Sequence, residues 1–290
     1  MSDQEDNMEI KVLDNISIKT VSILAPAISC ANEIRIAVAF VSGNGLAQLM
    51  PAMQKALEAG AYLEFLVGMD TRATDPDALK NLYALSCETQ RVSLFCFVNR
   101  SGSAIYHPKM YLLTENQITT AIIGSSNLTR KGLTTNVEAN LMIKDAVDSE
   151  IISELHATYY RLRHKQDRVI PDEEFIDLFS DLCQKEKLLE KRMARDTEIR
   201  ELKSLYLRKA DILPRPKPRR ADLIGWLKLV YEALPEGQFT NQEIYEYENE
   251  FRRKYPHNLN IRAKIRQQLQ ILHKMGFIDH LGNGIWKKTI

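Results

Sequence analysis

Cysteine is scarce: four in 290 residues, Cys30, Cys87, Cys96 and Cys183, with no two at C-x-x-C spacing. That pattern excludes a zinc ribbon and a disulfide framework as the source of stability, and it fits reduced thiols in a cytoplasmic protein. An excess of charge is also missing, since 39 Lys and Arg against 38 Asp and Glu leave a net +1. A uniformly basic nucleic-acid coat or an acidic solvating chain is therefore excluded. No apolar run approaches the roughly 20 residues that span a bilayer. Met1 to Asn7 are polar and acidic, unlike a signal peptide, so no membrane attachment is expected. What is present is ordinary for a globular chain, 44% hydrophobic and 27% charged, with enough length for one large or two moderate domains. The balanced charge hides a gradient. Residues 215–290 hold 14 basic against 8 acidic side chains, which makes the end of the chain its basic part.

The informative stretch is Ile105 to Leu113, followed by Ala121 to Arg130 and Asn136 to Glu138. Alternation along Tyr106 to Leu113 puts His107, Lys109 and Tyr111 on one side of a strand, a nucleophile beside a cation. Thr119 to Ile123 is a second β-branched run, and it ends in Gly124-Ser125-Ser126-Asn127. Small residues there let amides and hydroxyls approach an anion, and Asn127 adds an amide donor. Glu138 precedes a third apolar segment and is the carboxylate expected to hold the His107 imidazole. A nucleophile, an orienting acid and donors for non-bridging oxygens together suit phosphoryl transfer.

His107-x-Lys109 followed by Gly124-Ser125-x-Asn127 resembles the HKD motif of the phospholipase D superfamily. The continuation Ser126 to Glu138 resembles its nuclease branch, which includes the BfiI-type restriction endonucleases. With Ile34 to Val41 the likeness covers about residues 20 to 165. It departs in one place: Thr114 stands where the family has an Asp five residues after the Lys. The resemblance implies two His-x-Lys motifs per active site. This chain has one, so a homodimer with a shared site is implied, its catalytic groups being His107, Lys109, Ser125, Asn127 and Glu138. Neither a cofactor nor a metal is expected.

Strand-like runs at Ile34–Val41, Tyr62–Val67 and Val92–Val98 alternate with helical stretches at Leu46–Ala59 and Asp75 to about Cys87. The fold class that follows is α/β, a phospholipase D-like α/β/α sandwich with a mixed sheet, then a helical linker and a winged helix-turn-helix domain. The expected domains are 1–165, 166–220 and 221–290. Weak apolar stretches at Ile10–Leu13 and Ile16–Leu24 predict an edge strand and a first helix, and Ala146 to His164 a packing helix. Gly43-x-Gly45 lacks a third glycine and reads as a loop, while Asp70 and Asp75 read as solvated loop acids. The charged region Asp172 to Ala210 reads as a connecting or dimer-supporting helix with solvated faces. Leu213 to Arg220, with three alternating prolines and four basic residues, reads as an extended spacer.

In the last segment, Leu223, Ile224, Leu227 and Val230 are the expected inward face of one helix. Ile261, Ile265, Leu269 and Leu272 make the apolar face of another, Ile261 to Met275. The opposite side carries Arg262, Lys264, Arg266, Gln267 and Gln270, the candidate DNA-reading set. Gly282-Asn283-Gly284 permits a tight hairpin after it. Phe239 to Phe251, Lys264 to Gln270 and Gly276 to Gly282 are similar to the C-terminal winged helix of DpnI-type restriction enzymes, which implies double-stranded DNA as the partner. Together the two resemblances imply a metal-independent DNA endonuclease. Its rivals are a non-specific nuclease or lipid hydrolase of the same superfamily, and a DNA-binding regulator with a decayed catalytic site.

Overall fold

A computed structural model describes residues 8–98, 105–165, 167–193, 196–212, 220, 223–256 and 258–289. Most of the proline-rich spacer, together with His257, lies outside the described residues. The chain divides into two compact units, Met1–Arg200 and Glu201–Ile290.

The first unit is built on an eight-stranded sheet. Its strands are β1 (Glu9–Leu13), β2 (Glu33–Val38), β3 (Tyr62–Gly68), β4 (Val92–Phe97), β5 (Lys109–Glu115), β6 (Ile118–Gly124), β7 (Asn140–Ala146) and β8 (Arg168–Val169). They lie in the order β1-β7-β6-β5-β2-β3-β4-β8. Only the β2–β3 and β3–β4 pairs are parallel, so the sheet is mixed as expected. The helices α1 (Thr20–Cys30), α2 (Gly43–Glu58) and α3 (Pro76–Glu88) follow the first strands, and α4 (Arg130–Thr134) and α5 (Glu150–Arg163) flank β7. Asp75 caps α3 by accepting from Asp77 N–H, with Pro76 at the first helical position, a start legible in the sequence.

Two-residue periodicity separates the two faces of the sheet. Ile34, Ile36, Val38, Tyr111 and Leu113 pack with α1, α2 and α3, whereas Ala37, Met110 and Leu112 pack with Ile152 and Tyr159 of α5. Each large apolar side chain so buried contributes about 1.5–3 kcal/mol. This fixes the register, and with it the strand ends that carry the site.

The first unit runs past residue 165. β8 pairs with β4, and Ile176, Phe179 and Cys183 of α6 (Glu173–Met193) join the same core as α3. The single helix expected from Asp172 to Ala210 is instead two, α6 and α7 (Thr197–Ile212), and α7 buries no side chain.

The second unit contains α8 (Trp226–Glu232), β9 (Gln238–Thr240), α9 (Asn241–Tyr245), α10 (Glu248–Lys254), α11 (Ile261–Met275), β10 (Ile278–Gly282) and β11 (Ile285–Lys288). The strands form one small sheet in the order β10-β11-β9. Thr240 and Glu243 make a capping box at α9. Leu223, Val230, Phe239, Ile261, Ile265, Leu269, Leu272 and Trp286 share one core. Ile224, expected inside, is 77% exposed because it precedes the first turn of α8 rather than lying on its inner face. The hairpin turn is as expected, with positive φ at Gly282, Asn283 and Gly284.

Candidate active site and nucleic-acid interface

His107 is not in a strand. It sits two residues before β5, where Ala39 N–H donates to Pro108 O at 2.9 Å and ties the approach to the end of β2. Lys109 opens β5 opposite Val38 and is buried, while His107 is exposed. The ammonium Nζ lies 2.6 Å from Nδ1 and 3.0 Å from Nε2 of the imidazole, and it donates to the His107 carbonyl at 3.0 Å. The Phe40 ring meets the imidazole edge-on at 5.6 Å and lies 5.8 Å from the ammonium. Burial and then the Lys109 charge hold the His107 pKa below its ordinary value, and burial lowers Lys109 against the pull of Glu138. Both effects favour the neutral imidazole, the form with a lone pair for attack.

A titration follows. Lysine charge disfavours the imidazolium, so Lys109→Gln should raise the His107 titration midpoint, read from imidazole resonances across pH 4–9 (about the window of a histidine). An unchanged or lower midpoint would contradict the arrangement. In the wild type the neutral form persists to lower pH than in a free histidine, so an acid limb of activity set by His107 should lie on the acid side of the ordinary value.

The ends of β6 and β7 bring the other groups beside this pair. Ser125 Oγ donates to Glu138 Oε2 and accepts from Ala139 N–H at 2.9 Å, and Asn136 Nδ2 donates to Glu138 Oε1 at 3.2 Å. Asn127 Oδ1 accepts from Phe40 N–H at 3.1 Å, which turns the amide and leaves its NH2 without a partner among the described residues. Gly124 allows this crossing, because a Cβ there would stand 2.3 Å from Ala139 O.

The expected pairing of Glu138 with His107 is not what the side chains make. Glu138 bonds Ser125 and Asn136, and its charge acts on Lys109. Thr114 lies at the far end of β5, about 17 Å along the strand from Lys109 at ~3.3 Å per residue. It is buried with its hydroxyl 2.9 Å from that of Thr119. Position 114 therefore cannot orient His107 of the same chain, whichever residue fills it.

Sequence reasoning missed the support beneath the loop. Asn140 is 3% exposed, accepts from Ser125 and Ser126 N–H at 3.0 Å each, and donates to Ser126 Oγ at 2.8 Å and Thr20 Oγ1 at 3.2 Å. Tyr111 OH donates to Ser126 O at 2.9 Å from the strand below. Asn15, with φ 58°, donates to Gly132 O at 2.7 Å. A lone Asn opening an apolar run was the one available signal. Asp70, read as solvated, is exposed but helps line a cavity of about 80 Å³ beside His107, with Phe40, Gly68, Phe97 and Tyr106. Asp75 instead holds Gly43 N–H at 3.1 Å.

On the second unit the five candidate DNA-reading residues do not share one exposed face. Arg262, Arg266 and Gln270 are exposed, whereas Lys264 and Gln267 are half-buried, and burial lowers the Lys264 pKa. Arg262 is held by Glu248 at 2.7 Å with its guanidinium over the Tyr245 ring, and Arg266 donates to Tyr245 OH at 3.0 Å. Arg266 and Gln270, with His273, Lys274, His280 and Trp286, line a cleft of about 320 Å³ between α11 and the β10–β11 hairpin. The two histidines and Lys274 were not among the expected set.

Residues 24–163 match the family described as cardiolipin synthase, PLD-like domain, and residues 219–288 match the Dam-replacing HTH domain. Among solved structures, the chain is similar to Nuc of Salmonella typhimurium, a phospholipase D family member. The identity is 18%, over 54% of this chain and 93% of that one, with a TM-score of 0.41. NucT of Helicobacter pylori aligns at 16% identity over 58% of this chain and 100% of that one, with a TM-score of 0.43. Phosphatidylserine synthase of Haemophilus influenzae Rd KW20 aligns at 14% identity over 65% and 48%, also at 0.43. Residues 24–163 are a phospholipase D-like domain, and residues 219–288 are a Dam-replacing HTH domain.

Proposed function

We propose that this protein is a DNA endonuclease, of the restriction type, that hydrolyses phosphodiester bonds through a phosphohistidine at a site shared by two copies. The observation that carries the reading is the His107 imidazole 2.6 Å from the Lys109 ammonium, with Ser125 and Asn127 at the neighbouring strand ends, in a chain that also bears an HTH domain. His107 attacks phosphorus. A P–N bond forms, the P–O bond to the leaving strand breaks, and His107 of the partner subunit, which enters as the imidazolium, gives its proton to the departing oxygen and becomes neutral. Water then attacks phosphorus, gives its proton to the same partner imidazole, and the P–N bond breaks. Lys109 and Asn127 of both copies hold the non-bridging oxygens, and Ser125 and Glu138 position them. Since cationic and amide donors do the work of a metal ion, cleavage should persist in EDTA.

The decisive experiment treats plasmid DNA, from methylating and non-methylating hosts, with wild type and His107→Ala in EDTA. Discrete fragments from the wild type alone support a restriction nuclease, and a smear supports a non-specific one. DNA bound but left intact supports the regulator. The family description that matches residues 24–163 also includes a lipid enzyme, so hydrolysis of cardiolipin vesicles without DNA cleavage would favour that second reading.

DNA reading is assigned to the cleft-side face of α11. Arg266→Ala should weaken binding of the cognate site by about 1–3 kcal/mol if the guanidinium makes a bidentate base contact. Lys264→Ala, at a half-buried site, should change affinity much less. Equal losses, measured by fluorescence anisotropy against cognate and scrambled duplexes, would count against this assignment.

A further inference from the structure

Helix α6 carries two apolar stripes, and the first unit uses one. Ile176, Phe179 and Cys183 turn into the core. Leu178, Leu182, Leu189 and Met193 fall on a second stripe, roughly 60° wide at about 100° per residue. These four are 62%, 49%, 57% and 60% exposed. From Lys187 to Met193 every side chain is exposed, so the last turns of the helix leave the core. Apolar side chains at successive spacings of four, seven and four residues on the solvent side of a long charged helix make a seam for another helix.

The charges beside the seam identify the occupant. Glu174 and Asp181 flank it in the first half of α6, and Lys185 and Arg192 lie on the same flank in the second half. All four are exposed, and none makes an ion pair among the described residues. When two such helices pair antiparallel about a two-fold axis, equivalent flanks face each other with their directions reversed. The acidic half of each then meets the basic half of the other, and Leu178 lies near Leu189 of the partner subunit. In a parallel pair each flank would instead face the partner's opposite flank, so the acidic and basic halves of this flank would not meet.

We propose that α6 is the element through which two copies of this chain associate, as an antiparallel helix pair. The pairing stands on the seam and its charges alone, and its consequence for cleavage rests on the shared-site reading above. The test is sedimentation velocity of the full chain at micromolar concentration without DNA. The wild type is expected to be a dimer. Leu178→Glu/Leu189→Glu is expected to be a monomer with unchanged helical content by circular dichroism, since both positions are exposed. Lys185→Glu/Arg192→Glu should dissociate about tenfold more readily, and adding Glu174→Lys/Asp181→Lys should restore the dimer. A monomeric wild type would assign the seam to another partner and overturn the proposal. A leucine variant that stays dimeric, or a charge-swapped variant no tighter than the double variant, would also overturn it. The two readings fail separately. A seam-dependent dimer that cuts no DNA counts against the nuclease and supports the pairing. A monomeric leucine variant that cuts at the wild-type rate supports the pairing and removes the shared site.

Discussion

His107→Ala is expected to reduce plasmid cleavage in EDTA by about 10³-fold or more, while affinity for DNA stays within about twofold of wild type. The size follows from chemistry: with no imidazole there is neither a nucleophile for phosphorus nor an acid for the leaving oxygen, so both steps are lost at once. Binding survives because the exposed cations of the second unit are untouched. Lys109→Met should be nearly as severe, for it removes a phosphate donor and the charge that lowers the His107 pKa. Because each chain supplies one His-x-Lys, a mixture of His107→Ala with wild type should lose activity faster than its content of wild-type chains falls. Quantitative gel analysis of nicked and linear plasmid checks all three. Wild-type rates from His107→Ala would place the nucleophile elsewhere and end the proposal.

The largest expected effect on folding is at Asn140→Leu, which should destabilise the first unit by about 3 kcal/mol or more. The side chain is close in size, so the loss is not one of packing. Leucine would take the acceptor from the buried Ser126 amide and leave the buried hydroxyls of Ser126 and Thr20 without its donor, while the exposed Ser125 amide would keep only Ala139 O at 3.2 Å. The loop carrying Ser125 and Asn127 would move with them, so cleavage should fall as well. Asn136→Ala, at an exposed position holding Glu138 through one 3.2 Å bond, should stay within about 0.5 kcal/mol. Urea denaturation of the two variants beside wild type tests the contrast, and equal midpoints would refute the role given to Asn140.

How much of this was legible beforehand differs by element. The β2, β3 and β4 runs, the Asp75-capped helix and the helix from Ile261 to Met275 were readable because periodicity and capping act over a few residues, and the core only reinforced them. β8 was not, since two residues carry no period and become a strand only by pairing with β4. The charged face of α6 was read as solvated and its charged side chains are exposed apart from the half-buried Glu186, but that Ile176, Phe179 and Cys183 pack inward while the leucines stay outside only the core decides. Lys264 and Gln267 were grouped with Arg266 by polarity, although helical rotation turns them toward the edge of the core.

Unaided, the chain determined that an imidazole and an ammonium lie two residues apart, that small polar residues end the next strand, and that a basic helix-and-hairpin segment follows the proline-rich spacer. Local covalent spacing is enough for such statements. Tertiary structure alone decided that Glu138 serves Ser125 and Lys109 rather than His107, that Thr114 is a strand's length from the chemistry, and that Asn140 supports the loop. These are relations between residues 13 to 120 positions apart or at opposite ends of a strand. Only the register of neighbouring strands, set by which apolar side chains the sheet must bury, brings such residues together or keeps them apart.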